Sequence, residues 1–269
     1  MNIRFDKPAK KHLGQNFLHD RSVIDRIVLA LDPKPGEHIV EIGPGQGALT
    51  LPLLARHGAL TAIEFDRDLL APLTQAADAR GGGLRLIPRD VLQVDFTSLA
   101  RELAGDGGRI RLVGNLPYNL SSPILFHALD HAAAITDMHF MLQKEVVERM
   151  AAGEGSKVYG RLSVMLQAYC RVTPLIQVPP GAFRPAPKVD SAVVRLVPKP
   201  ASEIPIRDHA AFARIVRAAF GQRRKTLHNA LRDVCDDEAI RAAGLDPQWR
   251  AEQVPVAGFI RLAEAATAG

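Results

Sequence analysis

Hydrophobic and polar positions change period along the chain in a regular way. Short apolar runs at His38-Ile39-Val40-Glu41-Ile42, Leu60 to Ile63, Leu84 to Ile87, Ile110 to Val113 and Met138 to Leu142 predict buried strands. Between them, apolar residues return at helical spacing. Asp20 is placed to cap a helix whose Val23, Ile24, Ile27, Val28 and Leu31 share one face, closed by Pro33, Pro35 and Gly36. Further helices are predicted from about Ala48 to Arg56, from Ser121 to about His131, from Lys144 onward, and through Tyr169. Strands alternating with helices imply a parallel sheet. Two more strands, Arg171 to Val178 and Ser191 to Val197, are joined by a proline-rich stretch too short for a right-handed crossover. One of the two is therefore expected to be antiparallel. Pro198, Pro200 and Pro205 mark a linker, and the remainder of the chain patterns as helices. Asp208 can cap one with Phe212, Ile215, Val216 and Phe220 inward, and others fall near Glu238 to Ala243 and Pro255 to Ala265. The expectation is an α/β domain over residues 1–198, with a mostly parallel seven-stranded sheet, followed by a small all-helical domain over 199–269.

Composition adds limits. The 269 residues are 47% hydrophobic and 23% charged, enough for a large core in one or two domains. Cys170 and Cys235 lie far apart and form no disulfide or metal framework, which suits a reducing cytosol. No metal site is expected. The N-terminus carries Arg4, Asp6, Lys7, Lys10 and Lys11 without an apolar core, unlike a secretory signal. No apolar run approaches the roughly 18 residues of a membrane span. A net charge of +5 favours an anionic partner. The charge is local: from Arg214 to Arg232 there are six basic residues, among them Arg223, Arg224 and Lys225, and no acidic one. Together with the basic arm before Leu18, this run is expected to contact phosphates rather than form a merely solvated face.

The candidate chemistry lies at the carboxyl ends of the strands, where open α/β sheets bind ligands. After the first strand of the alternating series comes Gly43-Pro44-Gly45-Gln46-Gly47, then a helix. Such glycines let the backbone approach a nucleotide-like ligand closely. The pattern departs from a dinucleotide fingerprint and favours a methionine-sulfonium cofactor. Glu64 ends the next strand and is placed to accept hydrogen bonds from both ribose hydroxyls. Asp90 ends the third and is a candidate for an adenine amine. The fourth leads through Gly114 into Asn115-Leu116-Pro117-Tyr118. That tetrapeptide offers an amide oxygen, carbonyls beside a proline and an aromatic ring, which suits a flat base carrying an exocyclic amine. A plain proline turn, with Asn capping and Tyr packing, is the alternative. Gln15-Asn16-Phe17-Leu18 is too apolar and amide-rich for a tail and is expected to fold back over a pocket.

Several of these stretches recur together in one family. Gln15-Asn16-Phe17-Leu18, Glu41-Ile42-Gly43-Pro44-Gly45, Glu64-Phe65-Asp66, Asn115-Leu116-Pro117-Tyr118-Asn119, Met141-Leu142-Gln143-Lys144-Glu145, the run Phe183 to Ser191 and Gly221 to Leu227 appear in that order. The sequence resembles the KsgA (RsmA) family of ribosomal-RNA adenine dimethyltransferases, relatives of the Erm methyltransferases, from about residue 10 to 262.

The resemblance implies a Rossmann-like class I methyltransferase domain and a helical C-terminal rRNA-binding domain. It implies S-adenosylmethionine as methyl donor, contacted by Asn16, Leu18, Gly43, Glu64, Asp90 and Asn115. The implied substrate is a pair of adjacent adenosines in the 3′-terminal hairpin of 16S rRNA, within the small (30S) subunit or its precursor. A cytoplasmic, monomeric enzyme is expected. Asn115 and the Leu116 carbonyl would hold the adenine amine and favour a pyramidal nitrogen whose lone pair faces the sulfonium methyl. Tyr118 would stack on one face of the flipped base and Phe183 on the other. Two rivals stay open: a large-subunit rRNA or DNA adenine methyltransferase, and an assembly factor that chiefly binds the immature subunit.

Overall fold

The computed structural model describes residue 10, residues 14–222 and residues 224–267. The expected contacts of Lys7, Lys11 and Arg223 lie outside the described residues.

The chain divides into two compact units, residues 1–147 with 173–198, and residues 148–172 with 199–269. The first unit opens on β1 (Phe17–Leu18) and α1 (Arg21–Leu31), and β2 (His38–Ile42) and α2 (Thr50–His57) follow. Next come β3 (Leu60–Ile63), α3 (Arg67–Asp78), β4 (Leu84–Ile87), α4 (Phe96–Ala104), β5 (Ile110–Asn115), α5 (Ser121–Asp130) and β6 (Ile135–Gln143). After α6 (Lys144–Ala151) and α7 (Arg161–Tyr169) the chain returns through β7 (Cys170–Val178), β8 (Phe183–Arg184) and β9 (Ser191–Pro198).

Seven strands form one sheet in the order β4-β3-β2-β5-β6-β9-β7. β2 pairs in parallel with β3 and β5, β3 with β4, and β5 with β6. β9 is antiparallel to β6, with Ser191 opposite Gln143 and Leu196 opposite Met138. The predicted antiparallel strand is thus β9, entered from a connection that carries no crossover helix. Three of these helices start at acidic caps. Asp20, Asp66 and Asp95 each accept a backbone N–H in the first turn of α1, α3 and α4. Leu31, Ile39, Leu53, Val113, Met141 and Phe183 belong to one buried apolar cluster of this unit.

β5 departs from a simple apolar run. Arg111 sits inside β5 yet is buried, donating Nε to Asp137 at 2.8 Å, Nη1 to Glu37 at 2.6 Å and Nη2 to the Leu31 carbonyl at 2.7 Å. Asp137 of β6 also accepts from Arg195 of β9 at 2.9 Å. Strand pairing places these charges side by side, since Arg111 and Asp137 are register partners. A buried charge is tolerated only when paired and hydrogen-bonded, and here it is both.

The second unit contains α8 (His209–Gly221), α9 (Leu227–Leu231), α10 (Asp237–Ala242) and α11 (Val256–Thr267). Sequence patterning assigned 148–172 to the first domain, whereas the structure groups that segment here. The reason is apolar packing. α7 buries Val164, Met165, Leu166 and Ala168 and contacts α8 and α11. The Tyr159 hydroxyl donates to the Val254 carbonyl at 2.9 Å, and its ring meets Phe220 edge-on at 5.9 Å.

Candidate active site

Four parallel strands deliver the site. β4, β3, β2 and β5 are neighbours in that order, so the residues following each lie along one edge of the sheet. Neighbouring strands stand about 4.8 Å apart, so the four ends together span a ligand of nucleoside length. One pocket is lined there by Glu41, Gly43, Gly45, Glu64, Phe65, Asp90, Val91, Asn115, Leu116 and Tyr118, and by Gln15, Asn16, Phe17 and Leu18 of the N-terminal segment.

The glycine-rich turn is shaped from beneath by Glu41. Its carboxyl accepts the Thr50 hydroxyl at 2.6 Å, tying the end of β2 to the start of α2 across the turn. Burial pushes the Glu41 pKa up to about 8. Gly43 and Gly45 take φ of +68° and +56°, the left-handed region that disfavours side chains. A Cβ on Gly45 would also stand 3.2 Å from the Phe17 ring.

Glu64 is buried and accepts the backbone N–H groups of Gly45 at 3.2 Å and Asp66 at 2.7 Å. Burial raises its pKa, and those backbone bonds oppose the rise. Asp90 caps the short turn after β4 by accepting the Leu92 N–H at 3.0 Å, so part of its capacity is used locally.

The N-terminal segment folds back over the pocket by three ties. β1 pairs antiparallel with β8, Phe17 opposite Arg184 and Leu18 opposite Phe183. Gln15 Nε2 donates to Asp66 at 3.0 Å and Lys10 Nζ to the same carboxylate at 2.6 Å. Burial works against the Asp66 carboxylate, yet the bonds from Lys10 and Gln15 hold its pKa below the ordinary value. The third tie is at the centre of the site: Asn115 Nδ2 donates to the Asn16 carbonyl at 2.9 Å. With its NH2 group engaged there, the Asn115 carboxamide presents its oxygen as acceptor. No sequence signal announces this contact between residues 99 positions apart.

Leu116 is held by its N–H on the Met141 carbonyl at 3.1 Å, and Pro117 turns the chain by accepting from Leu120 N and the Ser121 hydroxyl. Tyr118 stands half-buried, its hydroxyl 2.7 Å from Ser191 Oγ. Burial raises its pKa.

Phe183 does not join them. The expected stacking residue lies outside this pocket's lining: in β8 it is 2% exposed, paired with Leu18 and packed into the apolar cluster with Ile24, Ile27 and Val178. Alternation along a strand sends Phe183 inward and leaves Arg184 exposed.

In the second unit, Arg224 and Lys225 are exposed in the turn between α8 and α9. Arg250, which sequence patterning passed over, is brought beside them by the bridge between Thr226 and Arg250.

The model of the ribosomal RNA adenine dimethylase family matches residues 7–268. The chain belongs to that family. It is 70% identical over 263 residues to a ribosomal RNA small subunit methyltransferase A of Xanthomonas campestris pv. campestris, covering 98% of both chains, and equally to one of Xanthomonas oryzae pv. oryzae. Among solved structures, a dimethyladenosine transferase from Plasmodium falciparum matches with a TM-score of 0.76 at 24% identity, covering 91% of this chain and 95% of that one. The 23S rRNA methyltransferase ErmE matches with a TM-score of 0.70 at 25% identity, covering 94% and 100%. The family member described here is an S-adenosylmethionine-dependent rRNA adenine dimethyltransferase.

The residues present fit that cofactor. The left-handed glycines give a close backbone approach, Glu64 offers carboxylate oxygens beside them, and Asp90 stands at the next strand end. When bound, S-adenosylmethionine supplies an electrophilic sulfonium methyl. The chain itself supplies an acceptor oxygen on Asn115 and the ring of Tyr118 in the same pocket.

Proposed function

We propose that this chain places two methyl groups on the exocyclic amine of each of two adjacent adenosines in the 3′-terminal hairpin of 16S rRNA, in the small subunit or its precursor. The observation that carries the reading is the orientation of Asn115. One N–H of its amide donates to the Asn16 carbonyl, which fixes the nitrogen side of the group and gives its oxygen the part of accepting from an amine N–H. The Leu116 carbonyl is the second acceptor and Tyr118 the stacking ring. An amine held by two acceptors loses conjugation with its ring and gains nucleophilicity. The ammonium formed by methylation is strongly acidic, so the pocket works by positioning and electrostatics without a strong base. An adenosine must leave its stack to enter.

The high identity to small-subunit methyltransferases, against 25% to the 23S rRNA enzyme, supports the small subunit over the large one. Arg224, Lys225 and Arg250, with Arg223, would grip rRNA phosphates. Among the described residues no helix is long and apolar enough to cross a membrane. An rRNA substrate is met in the cytoplasm, where the enzyme acts as a monomer on the subunit.

The test is transfer of labelled methyl groups to purified small subunits that lack the modification. The wild-type chain is expected to label 16S rRNA and to leave large subunits unlabelled. Asn115→Ala is expected to bind subunits while losing transfer even with S-adenosylmethionine saturating. Full transfer by that variant, or label in 23S rRNA, would overturn the reading.

A further inference from the structure

We propose that Ser191 is a positioning residue for the reaction, fixing the ring of Tyr118 so that it meets the incoming base in one plane. The inference rests on the reading of the pocket as an adenine methyltransferase site and adds a residue to it.

Both ends of Tyr118 are held. At the backbone end, Pro117 restricts the chain before it. The Leu116 N–H is fixed on β6, and the Leu120 N–H closes a turn onto the Pro117 carbonyl at 3.0 Å. The freedom that remains is rotation of the side chain about χ1, for which staggered wells compete. The hydroxyl end removes that freedom, since it lies 2.7 Å from Ser191 Oγ.

Ser191 is itself immobile. It is 0% exposed, it opens β9, and it pairs with Gln143 of β6. The residue before it, Asp190, accepts the Lys144 N–H at 2.9 Å. The ring is therefore referenced to β6, the strand that also holds the Leu116 N–H.

The choice of residue points the same way. Ala192, Val193 and Val194 follow Ser191, and all are buried. An alanine would satisfy packing at 191, and a buried hydroxyl is costly unless it is hydrogen-bonded. The hydroxyl gains its place by bonding Tyr118. A ring already in its stacking plane spares the base the cost of ordering it on arrival. Tyr118 is a poor candidate for a proton acceptor here, because burial raises its pKa.

The test is a double-mutant cycle in the full chain, with Ser191→Ala, Tyr118→Phe and the double variant. Single-turnover methyl transfer to small subunits is measured with S-adenosylmethionine saturating, and cofactor affinity is measured by calorimetry. Loss of one hydrogen bond of ordinary strength is expected to slow transfer roughly five- to tenfold in each single variant. The double variant is expected to be no slower than the slower single, with cofactor affinity unchanged. The proposal is overturned if Ser191→Ala transfers at the wild-type rate, if the two effects multiply, or if the rate falls only in step with cofactor affinity or folded fraction. A wild-type chain that leaves small subunits unlabelled, or an active Asn115→Ala variant, overturns the site reading and this inference with it. Where wild type and Asn115→Ala behave as expected, a neutral Ser191→Ala removes the inference alone.

Discussion

Replacing Glu41 by Gln is expected to flatten the pH dependence of folding stability. The side chain is 2% exposed and bonded to Thr50. Burial moves its pKa from an ordinary 4.5 up to about 8, opposed by the Thr50 hydroxyl and assisted by Glu64. The unfolded chain releases this proton near pH 4.5, whereas the folded chain keeps it until about pH 8. The stabilisation is therefore fully present below 4.5 and is lost as pH rises through about 8. One proton bound by the folded state alone tilts stability by about 1.4 kcal/mol per pH unit. The wild-type chain should show that slope from this site across the window, and Glu41→Gln should lack it. Glutamine keeps the volume and an acceptor for Thr50. Glu64, also raised by burial, contributes a slope of the same sign to both proteins. Urea unfolding followed by circular dichroism at about pH 5.5, 6.5 and 7.5 measures it through the shift in midpoint. Parallel profiles for the two proteins would refute the argument, because Glu41 would then be ionised in the fold and burial would not govern it.

The other expectations concern affinity, packing and charge. Glu64→Ala is expected to weaken S-adenosylmethionine binding by about 1.5–3 kcal/mol for each ribose hydrogen bond removed, read by calorimetry. Phe183→Ala is expected to destabilise the chain by about 3–5 kcal/mol, as core truncations do, with unchanged cofactor affinity in the folded protein; a fall in methyl transfer without a loss of stability would restore a role in stacking. Asp137→Asn is expected to cost about 3 kcal/mol near neutral pH, because Arg111 loses its buried partner. Burial works against the Asp137 carboxylate, yet His139 and Arg111 hold its pKa far below the ordinary 3.8. Its stabilisation is thus present above pH 3.8 and is lost as pH falls toward that depressed value, where wild type and variant converge. Changing Arg223, Arg224 and Lys225 together to Gln is expected to lower the salt dependence of subunit binding by about one log–log unit for each phosphate released, with cofactor affinity unchanged; a wild-type slope would make the cluster a solvated face.

The sequence by itself determined the parallel sheet and the groups at its strand ends. Apolar runs of four to six residues announce strands such as Leu60–Ile63, and in an open parallel sheet the residues just after such a run lie on the ligand edge. Glu64, Asp90 and Asn115 were legible for that reason, each being local to its own strand. Contacts between distant residues were decided only by tertiary structure. β1 and β8 are two residues each, too short for any periodicity, yet their pairing brings Asn16 to Asn115 and turns Phe183 into the core. The alternation that hides Phe183 depends on register, and register depends on the partner strand. Arg111 and Asp137 are 26 positions apart, and Tyr118 and Ser191 are 73 apart, so neither pairing shows in local pattern. Residues 148–172 include the end of α6 and all of α7, whose helical pattern says that apolar residues are buried but not against which neighbour. Helix and strand follow from short-range sterics and hydrophobic spacing; the orientation of the Asn115 amide and of the Tyr118 ring follows from which distant groups the fold sets beside them.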